Sequence, residues 1–227
     1  RTIREYLRAE LGIAVVAGIV VAATITRAQP PVVGPLRVAL VQGNDKNRDL
    51  TETEMKADYL PASHFELARQ ITDPVDLIVF PESSMNTFTD SDPRADLYIR
   101  RHLTALARRH QAWVLANATV AAPPDGEKLL NLDVLFGPDG EVQGTYEKRH
   151  LVPFGESVPF RAALEHVIGS ALAQVPRDFV HGPARGIFTV AGVKIGTLIC
   201  FESAFGYQVR PLVRNGAQVI MLSTNNR

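Results

Sequence analysis

The sequence has little cysteine: Cys200 is the single one among 227 residues. No internal disulfide can form, and the cysteine count does not distinguish a reducing compartment from an oxidising one. The six histidines are scattered, and with one cysteine they show no ligand spacing typical of zinc. We therefore expect neither a metal nor another cofactor.

An excess of charge of either sign is also lacking. The 24 Lys and Arg residues balance 24 Asp and Glu residues. No overall field would attract nucleic acid, so we expect no nucleic-acid partner. With 46% hydrophobic residues, the length suits one domain of about 200 residues with a substantial core, plus a short appendage.

One long uncharged run is present, from Leu11 to Thr26 (LGIAVVAGIVVAATIT). As a helix it reaches roughly 24 Å, and Tyr6–Glu10 would complete a span of the hydrocarbon core of about 30 Å. A transmembrane helix is the favoured interpretation, and a cleaved signal peptide and a buried core helix are the alternatives. Three arginines precede the run and only Arg27 follows closely, which places the N-terminal side in the cytoplasm and the rest outside.

Three prolines and a glycine in AQPPVVGP (28–35) exclude a continuing helix and indicate a stiff linker. We predict a juxtamembrane segment over 1–10, a transmembrane helix over 11–26, a linker over 27–35 and a catalytic domain over 36–227.

Apolar runs after the linker alternate between strand and helix character. We predict helices over Thr51–Gln70, with a break or kink at Pro61, and over about Pro93–His110. Strands are predicted over Leu36–Gln42, Asp76–Phe80, Trp113–Ala118, Ile187–Val190, Val193–Ile199 and Gln218–Leu222, and a hairpin over Leu129–Lys148. The pattern favours a mixed α/β domain with helices packed outside the sheets.

Glu82, in VFPESS, and Cys200, in LICFES, each follow an apolar strand, where open α/β sheets usually bind ligands. A carboxylate within reach can take the proton of a thiol that attacks a carbonyl. Lys148 and the Phe201 amide are candidates to stabilise the resulting oxyanion. Taken singly, each residue has an ordinary explanation: a buried cysteine, a solvated glutamate and a solvated lysine.

The motifs VFPES, YEKRHLVPFGE and LICFES resemble, in order and approximate spacing, those of the nitrilase or carbon-nitrogen hydrolase superfamily. The resemblance implies an α-β-β-α layered sandwich with Glu82, Lys148 and Cys200 as the catalytic triad. It also implies that Glu156 is a second active-site glutamate and that Glu202 is a further functional carboxylate. Phe201 stands where tyrosine is common in that superfamily.

HLVPFGE (150–156), VQGN (41–44) and the preceding hydrophobic segment more narrowly resemble the apolipoprotein N-acyltransferases. This implies a bacterial plasma-membrane enzyme with its catalytic domain on the extracytoplasmic side. It would pass an acyl chain from a phospholipid, through a thioester on Cys200, to the N-terminal amine of a diacylglyceryl-lipoprotein. That family has several membrane helices before this domain and further strands and helices after it, so we expect a fragment, truncated at its C-terminus.

Two other functions fit the same residues. A soluble or secreted amidase would resolve the thioester with water and use Leu11–Thr26 as a signal segment. An inactive, membrane-tethered binding domain would retain the fold without the chemistry.

Overall fold

The structure is a computed structural model that describes residues 12–19, 34–43, 51, 53–54, 59–85, 92–124, 126–161, 164 and 175–225. The chain divides into two units, Arg1–Val32 and Val33–Arg227. In the first unit residues 12–19 are helical, and Ile13, Val16 and Ile19 are more than half exposed. Within the described ranges no helix is long and apolar enough to cross a membrane. The rest of Leu11–Thr26 lies outside those ranges, so the transmembrane helix stays a prediction.

The second unit contains a five-stranded sheet and a three-stranded sheet among its described residues. Strands β1 (Val38–Leu40), β2 (Leu77–Val79), β3 (Trp113–Ala121), β4 (Leu129–Phe136) and β5 (Val142–Glu147) lie side by side in that order. The first three are parallel, and β3, β4 and β5 are successively antiparallel. In the smaller sheet, β7 (Val193–Ile199) pairs antiparallel with β6 (Gly186–Val190) and parallel with β8 (Val219–Ser223).

Alternation along the strands sets the layers, because successive side chains point to opposite faces of a sheet. Ile78 and Phe80 pack into a core with residues of helices α1 (Tyr59–Ala68) and α2 (Leu97–His110). Leu77 and Val79 point the other way and pack against Ile195 of the smaller sheet. A third cluster joins that sheet to α3 (Gly206–Arg214) through Leu198, Leu212 and Ala217. The result is the predicted α-β-β-α layering.

Three local details differ from the sequence expectations. Helix α2 begins at Leu97 and not near Pro93, because the Asp96 carboxylate caps it and accepts from the Ile99 amide at 2.9 Å. Pro61 does not end the helix, because the described residues on both sides of it within Tyr59–Ala68 are helical. Helix α3 was not predicted, and it contains Pro211.

Candidate active site

Glu82, Lys148 and Cys200 lie just beyond the ends of three strands from both sheets. Glu82 follows β2 and Lys148 follows β5 of the larger sheet, whereas Cys200 follows β7 of the smaller one. The packing of the two sheets therefore decides how far the thiol lies from the carboxylate and the ammonium. The structure brings the three predicted residues together.

Lys148 is the most deeply buried of the three, with its side chain 1% exposed. Its ammonium donates to Glu156 Oε1 at 2.6 Å and lies 3.7 Å from Glu82 Oε1. The other Glu156 oxygen accepts from the Val152 amide at 3.0 Å, which fixes the carboxylate in the turn after β5. A buried ammonium is stable only when paired, and two carboxylates pair with this one.

Glu82 is held through both of its carboxylate oxygens. Asn131, on β4, donates from Nδ2 to Glu82 Oε1 at 2.7 Å. The Asn225 amide, just beyond β8, donates to Glu82 Oε2 at 3.0 Å. The carboxylate is thus fixed by one donor from each sheet, and it is almost completely shielded from water.

Cys200 begins a 3-10 helix (Cys200–Ala204) with φ of 54°, a left-handed conformation that is uncommon outside glycine. This sharp turn at the end of β7 presents the thiol at the strand end. Burial raises the pKa of the thiol, the nearby Glu82 carboxylate raises it further, and Lys148 opposes the shift. The resting sulfur is therefore a neutral thiol beside a carboxylate that can accept its proton.

Glu202 lies under the site and does not line it. It is fully buried and accepts four hydrogen bonds: from the Arg149 and His150 amides at 2.8 and 2.9 Å, the Ile199 amide at 2.9 Å and the Tyr146 hydroxyl at 2.7 Å. The first two donors follow Lys148 and the third precedes Cys200. This carboxylate therefore ties the lysine segment to the nucleophile turn.

Phe201, the residue after Cys200, contributes to an exposed aromatic cluster. Its ring is 47% exposed and packs edge-on against Phe205, with ring centroids 5.1 Å apart. Phe205 in turn lies 4.0 Å from the His150 ring, and the Tyr207 hydroxyl lies 2.5 Å from His150 Nδ1. An exposed apolar rim suits a substrate with hydrocarbon character.

The sequence reasoning missed the polar residues beneath Glu82. Asn131 and Asp133 stand two apart in the buried strand β4, so both point to the same face, toward the smaller sheet. Asn117 of β3 donates to both of them at 2.9 Å, and Thr197 of β7 donates to Asp133 at 2.5 Å. Two polar residues at period two in LLNLDVLF were the signal available from the sequence.

A neutral thiol, a fixed carboxylate and a buried ammonium lying close together can perform nucleophilic acyl transfer. In chemistry of this kind a carboxylate accepts the thiol proton as sulfur attacks a carbonyl carbon, and an ammonium stabilises the oxyanion that forms. The fold and this site together define a cysteine-dependent enzyme class. In agreement, the carbon-nitrogen hydrolase family model matches residues 37–227, and the chain belongs to that family.

More specific similarity is to apolipoprotein N-acyltransferases. The chain is 33% identical to that of Geobacter metallireducens over 196 residues, which cover 85% of this chain and 36% of that protein. It is 31% identical to that of Methylococcus capsulatus, covering 86% of this chain and 37% of the relative. The chain thus spans only about a third of the length of these relatives.

Solved structures of the same fold include an amidase from a Nesterenkonia species, with a TM-score of 0.55 and 20% identity. The superposition covers 86% of this chain and 68% of the amidase. A variant of the amidase from Nesterenkonia sp. AN1, carrying the acetamide moiety of fluoroacetamide on its active-site cysteine, also has a TM-score of 0.55. At this level of identity the likeness concerns the fold.

Proposed function

We propose that this chain is the catalytic part of an apolipoprotein N-acyltransferase, with Cys200 as nucleophile, Glu82 as general base and Lys148 as oxyanion stabiliser. The observation that carries the proposal is the convergence of Glu82, Lys148 and the neutral Cys200 thiol at one end of the sandwich. The several relatives named as such enzymes, matched over most of this chain, support the choice of reaction.

In the first half-reaction Glu82 accepts the thiol proton while the Cys200 sulfur attacks the carbonyl carbon of a phospholipid acyl ester. Lys148 and the Phe201 amide stabilise the oxyanion. The ester C–O bond then breaks, the protonated Glu82 returns the proton to the leaving alkoxide, and a lysophospholipid departs. Cys200 is left as a thioester.

In the second half-reaction the free α-amine of S-diacylglyceryl-cysteine attacks the thioester carbonyl. Glu82 accepts a proton from the nitrogen, and the C–S bond breaks as the amide forms. The sulfur recovers a proton and the N-acylated lipoprotein leaves. The phospholipid donor and the lipoprotein acceptor come from the family resemblance, and the exposed aromatic rim fits a lipid substrate.

The proposal also places the enzyme in the bacterial plasma membrane, with the catalytic part outside the cytoplasm. The exposed apolar side chains of residues 12–19 fit a segment that faces lipid, and Arg1, Arg4 and Arg8 fit a cytoplasmic start.

Incubation of the full-length protein with phospholipid vesicles, followed by proteolysis and mass spectrometry, tests the first half-reaction. We expect the peptide containing Cys200 to gain the mass of one acyl chain. Glu82→Gln should slow this acylation by about 100-fold or more, the usual range for loss of a general base. Glu66→Gln, which removes an exposed carboxylate paired with Arg69, serves as the matched control and should leave the rate unchanged.

A folded protein without an acyl mass on Cys200 would contradict the proposed phospholipid donor. Addition of a diacylglyceryl-cysteine peptide then separates transfer from hydrolysis. An amide product supports the acyltransferase, whereas release of free fatty acid at the same rate with and without the peptide indicates the amidase-like alternative. If Cys200→Ala left the biological role of the protein intact, the binding-domain alternative would be favoured.

A further inference from the structure

Asp133 is a fully buried carboxylate that the mechanism above does not use. It lies on β4 and faces the smaller sheet. We propose that Asp133 is a positioning residue for Glu82: it ends a buried hydrogen-bond relay, Asp133–Asn117–Asn131–Glu82, and sets the direction of every bond in it. The inference rests on the proposed function only in taking Glu82 as the base for acylation of Cys200.

The direction of the relay follows from what each group can donate. An ionised carboxylate only accepts, so the Asn117 amide must present Nδ2 to Asp133 Oδ1, at 2.9 Å. The second N–H on the same nitrogen reaches Asn131 Oδ1, also at 2.9 Å. Asn131 must then present its own Nδ2 to Glu82 Oε1, at 2.7 Å. The charge of Asp133 thereby ensures that Asn131 presents an N–H donor, and not its oxygen, to Glu82 Oε1.

The backbone beside Glu82 depends on the same orientation. With Asn117 Nδ2 engaged, Asn117 Oδ1 accepts from the Ser83 amide at 2.8 Å. Ser83 has φ of 62°, so this hydrogen bond holds an uncommon backbone conformation directly after the base. An inverted Asn117 amide would point its oxygen at the Asp133 carboxylate and its NH₂ at the Ser83 amide, and both contacts are repulsive. The Asp133 charge therefore fixes the base through side chain and backbone together.

The surroundings of Asp133 come from five elements. Thr197 of β7 donates to Oδ2 at 2.5 Å and Asn117 of β3 donates to Oδ1, whereas the buried Ser223 hydroxyl of β8 makes no hydrogen bond with the described residues. Glu82 after β2 is a nearby group of like charge, and Tyr146 of β5 also interacts electrostatically with the Asp133 carboxylate. Burial outweighs the hydrogen bonds and raises the pKa of Asp133 to about 6. The residue is ionised at neutral pH, and its charge is lost within an accessible acid range.

The experiment measures acylation of Cys200 by p-nitrophenyl butyrate in the full-length protein, as the burst of nitrophenolate between pH 4.5 and 8.5. An activated ester needs no lipid site, so the readout does not depend on the natural donor. In the wild type the acid limb should include a fall in rate of about tenfold centred near pH 6, where Asp133 becomes protonated and its charge no longer orients the relay. In Asp133→Asn this fall near pH 6 should be absent.

The rate of Asp133→Asn at pH 8 should also be about tenfold lower, at the low end of what loss of a supporting hydrogen-bond partner costs at metal sites. An asparagine at position 133 keeps the shape of the side chain. It can accept from Asn117 only if its NH₂ group points toward Thr197, where the aspartate has an acceptor oxygen. Thr197→Val is the second variant: it removes a donor and keeps the charge, so the pKa of Asp133 rises and the Asp133 part of the acid limb moves to higher pH. Asp73→Asn, an exposed carboxylate, is the control and should match the wild type.

A wild-type rate at pH 8, or a retained fall in rate near pH 6, in folded Asp133→Asn would overturn the inference, and so would an unmoved acid limb in Thr197→Val. If Asp133→Asn fails to fold in a thermal unfolding assay, Thr197→Val decides alone. A wild type that shows no burst overturns both the acyl-transfer chemistry and the relay. A burst with the ester but no acylation by phospholipid contradicts only the proposed donor.

Discussion

The ammonium of Lys148 faces two carboxylates, Glu82 and Glu156, so negative side chains outnumber positive ones in this group beside the sulfur. This balance explains why the thiol next to a lysine is not a resting thiolate: burial and Glu82 outweigh the attraction of Lys148. In the proposed mechanism the sulfur becomes nucleophilic only when Glu82 removes the proton, at the moment of attack. A substrate carbonyl is favoured over other electrophiles by this arrangement, because the oxyanion it forms is the charge that Lys148 stabilises.

The same balance predicts opposite shifts for two substitutions at the residue scale. Glu82→Gln removes a cause that raises the pKa of the Cys200 thiol, so the pKa should fall. Lys148→Met removes the opposing cause, so the pKa should rise. The pH dependence of alkylation by iodoacetamide between pH 6.5 and 10.5 measures both, and in this chain the label reaches only Cys200. Shifts in the same direction would contradict the charge assignment, and Glu66→Gln should cause none.

The sequence predicted the proximity of those site residues that stand in recognisable local motifs. Glu82, Lys148 and Cys200 follow apolar strands and stand in recognisable motifs, and the structure brings them together, although their roles stay predictions. Asp133 and Asn117 were not predicted as site residues. Their role depends on contacts between strands that are far apart in sequence, such as the contact of Asp133 with Thr197 of β7. Period two tells which face of β4 is polar, but register between strands far apart in sequence is set by tertiary packing.

At the scale of elements, two strand ends are connected by one carboxylate. Glu202 accepts from amides that follow β5 and from the amide of the last residue of β7. The family resemblance implied a functional role for Glu202, and the geometry gives it a physical form: it fixes the distance between the segments that carry Lys148 and Cys200 without lining the site.

Glu202→Gln tests this connection. Its NH₂ group would face at least one backbone N–H donor, so we expect a loss of stability on the order of 3 kcal/mol. Acylation of Cys200 should slow as well, because Lys148 and the thiol are no longer held together. Urea unfolding and the nitrophenolate burst measure the two effects. Glu141→Gln, 56% exposed with only surface ion pairs, is the control and should change stability by less than about 1 kcal/mol.

Elements were predictable where the pattern was strong. Strands β2 and β7 coincide with apolar runs, and α2 shows helical spacing through Ile99, Leu103 and Leu106. Helix α3 was missed because it is nine residues long, contains a proline and buries only Gln208 and Leu212. Such a helix owes its stability to packing on the smaller sheet and not to its own sequence.

At the scale of the whole molecule, the proposed membrane location depends on residues 11–26. In the 227-residue chain expressed in bacteria, we expect the protein to stay in the membrane fraction after carbonate extraction. Replacing both Val16 and Ile19 by lysine should release it, since each charge near the centre of a span costs about 3 kcal/mol. Replacing both by leucine is the matched control. Carbonate-resistant lysine variants would show that this segment is not the anchor.

Because the site is divided between two sheets, its geometry depends on the side chains packed between them. Glu82 and Lys148 follow strands of one sheet and Cys200 follows a strand of the other. The thickness of the apolar layer between the sheets therefore sets the distance from the sulfur to the carboxylate and the ammonium. Leu77, Leu135 and Ile195 fill that layer. For the proposed reaction, a change in the volume of these side chains should therefore alter the distance between the Cys200 sulfur and the Glu82 carboxylate.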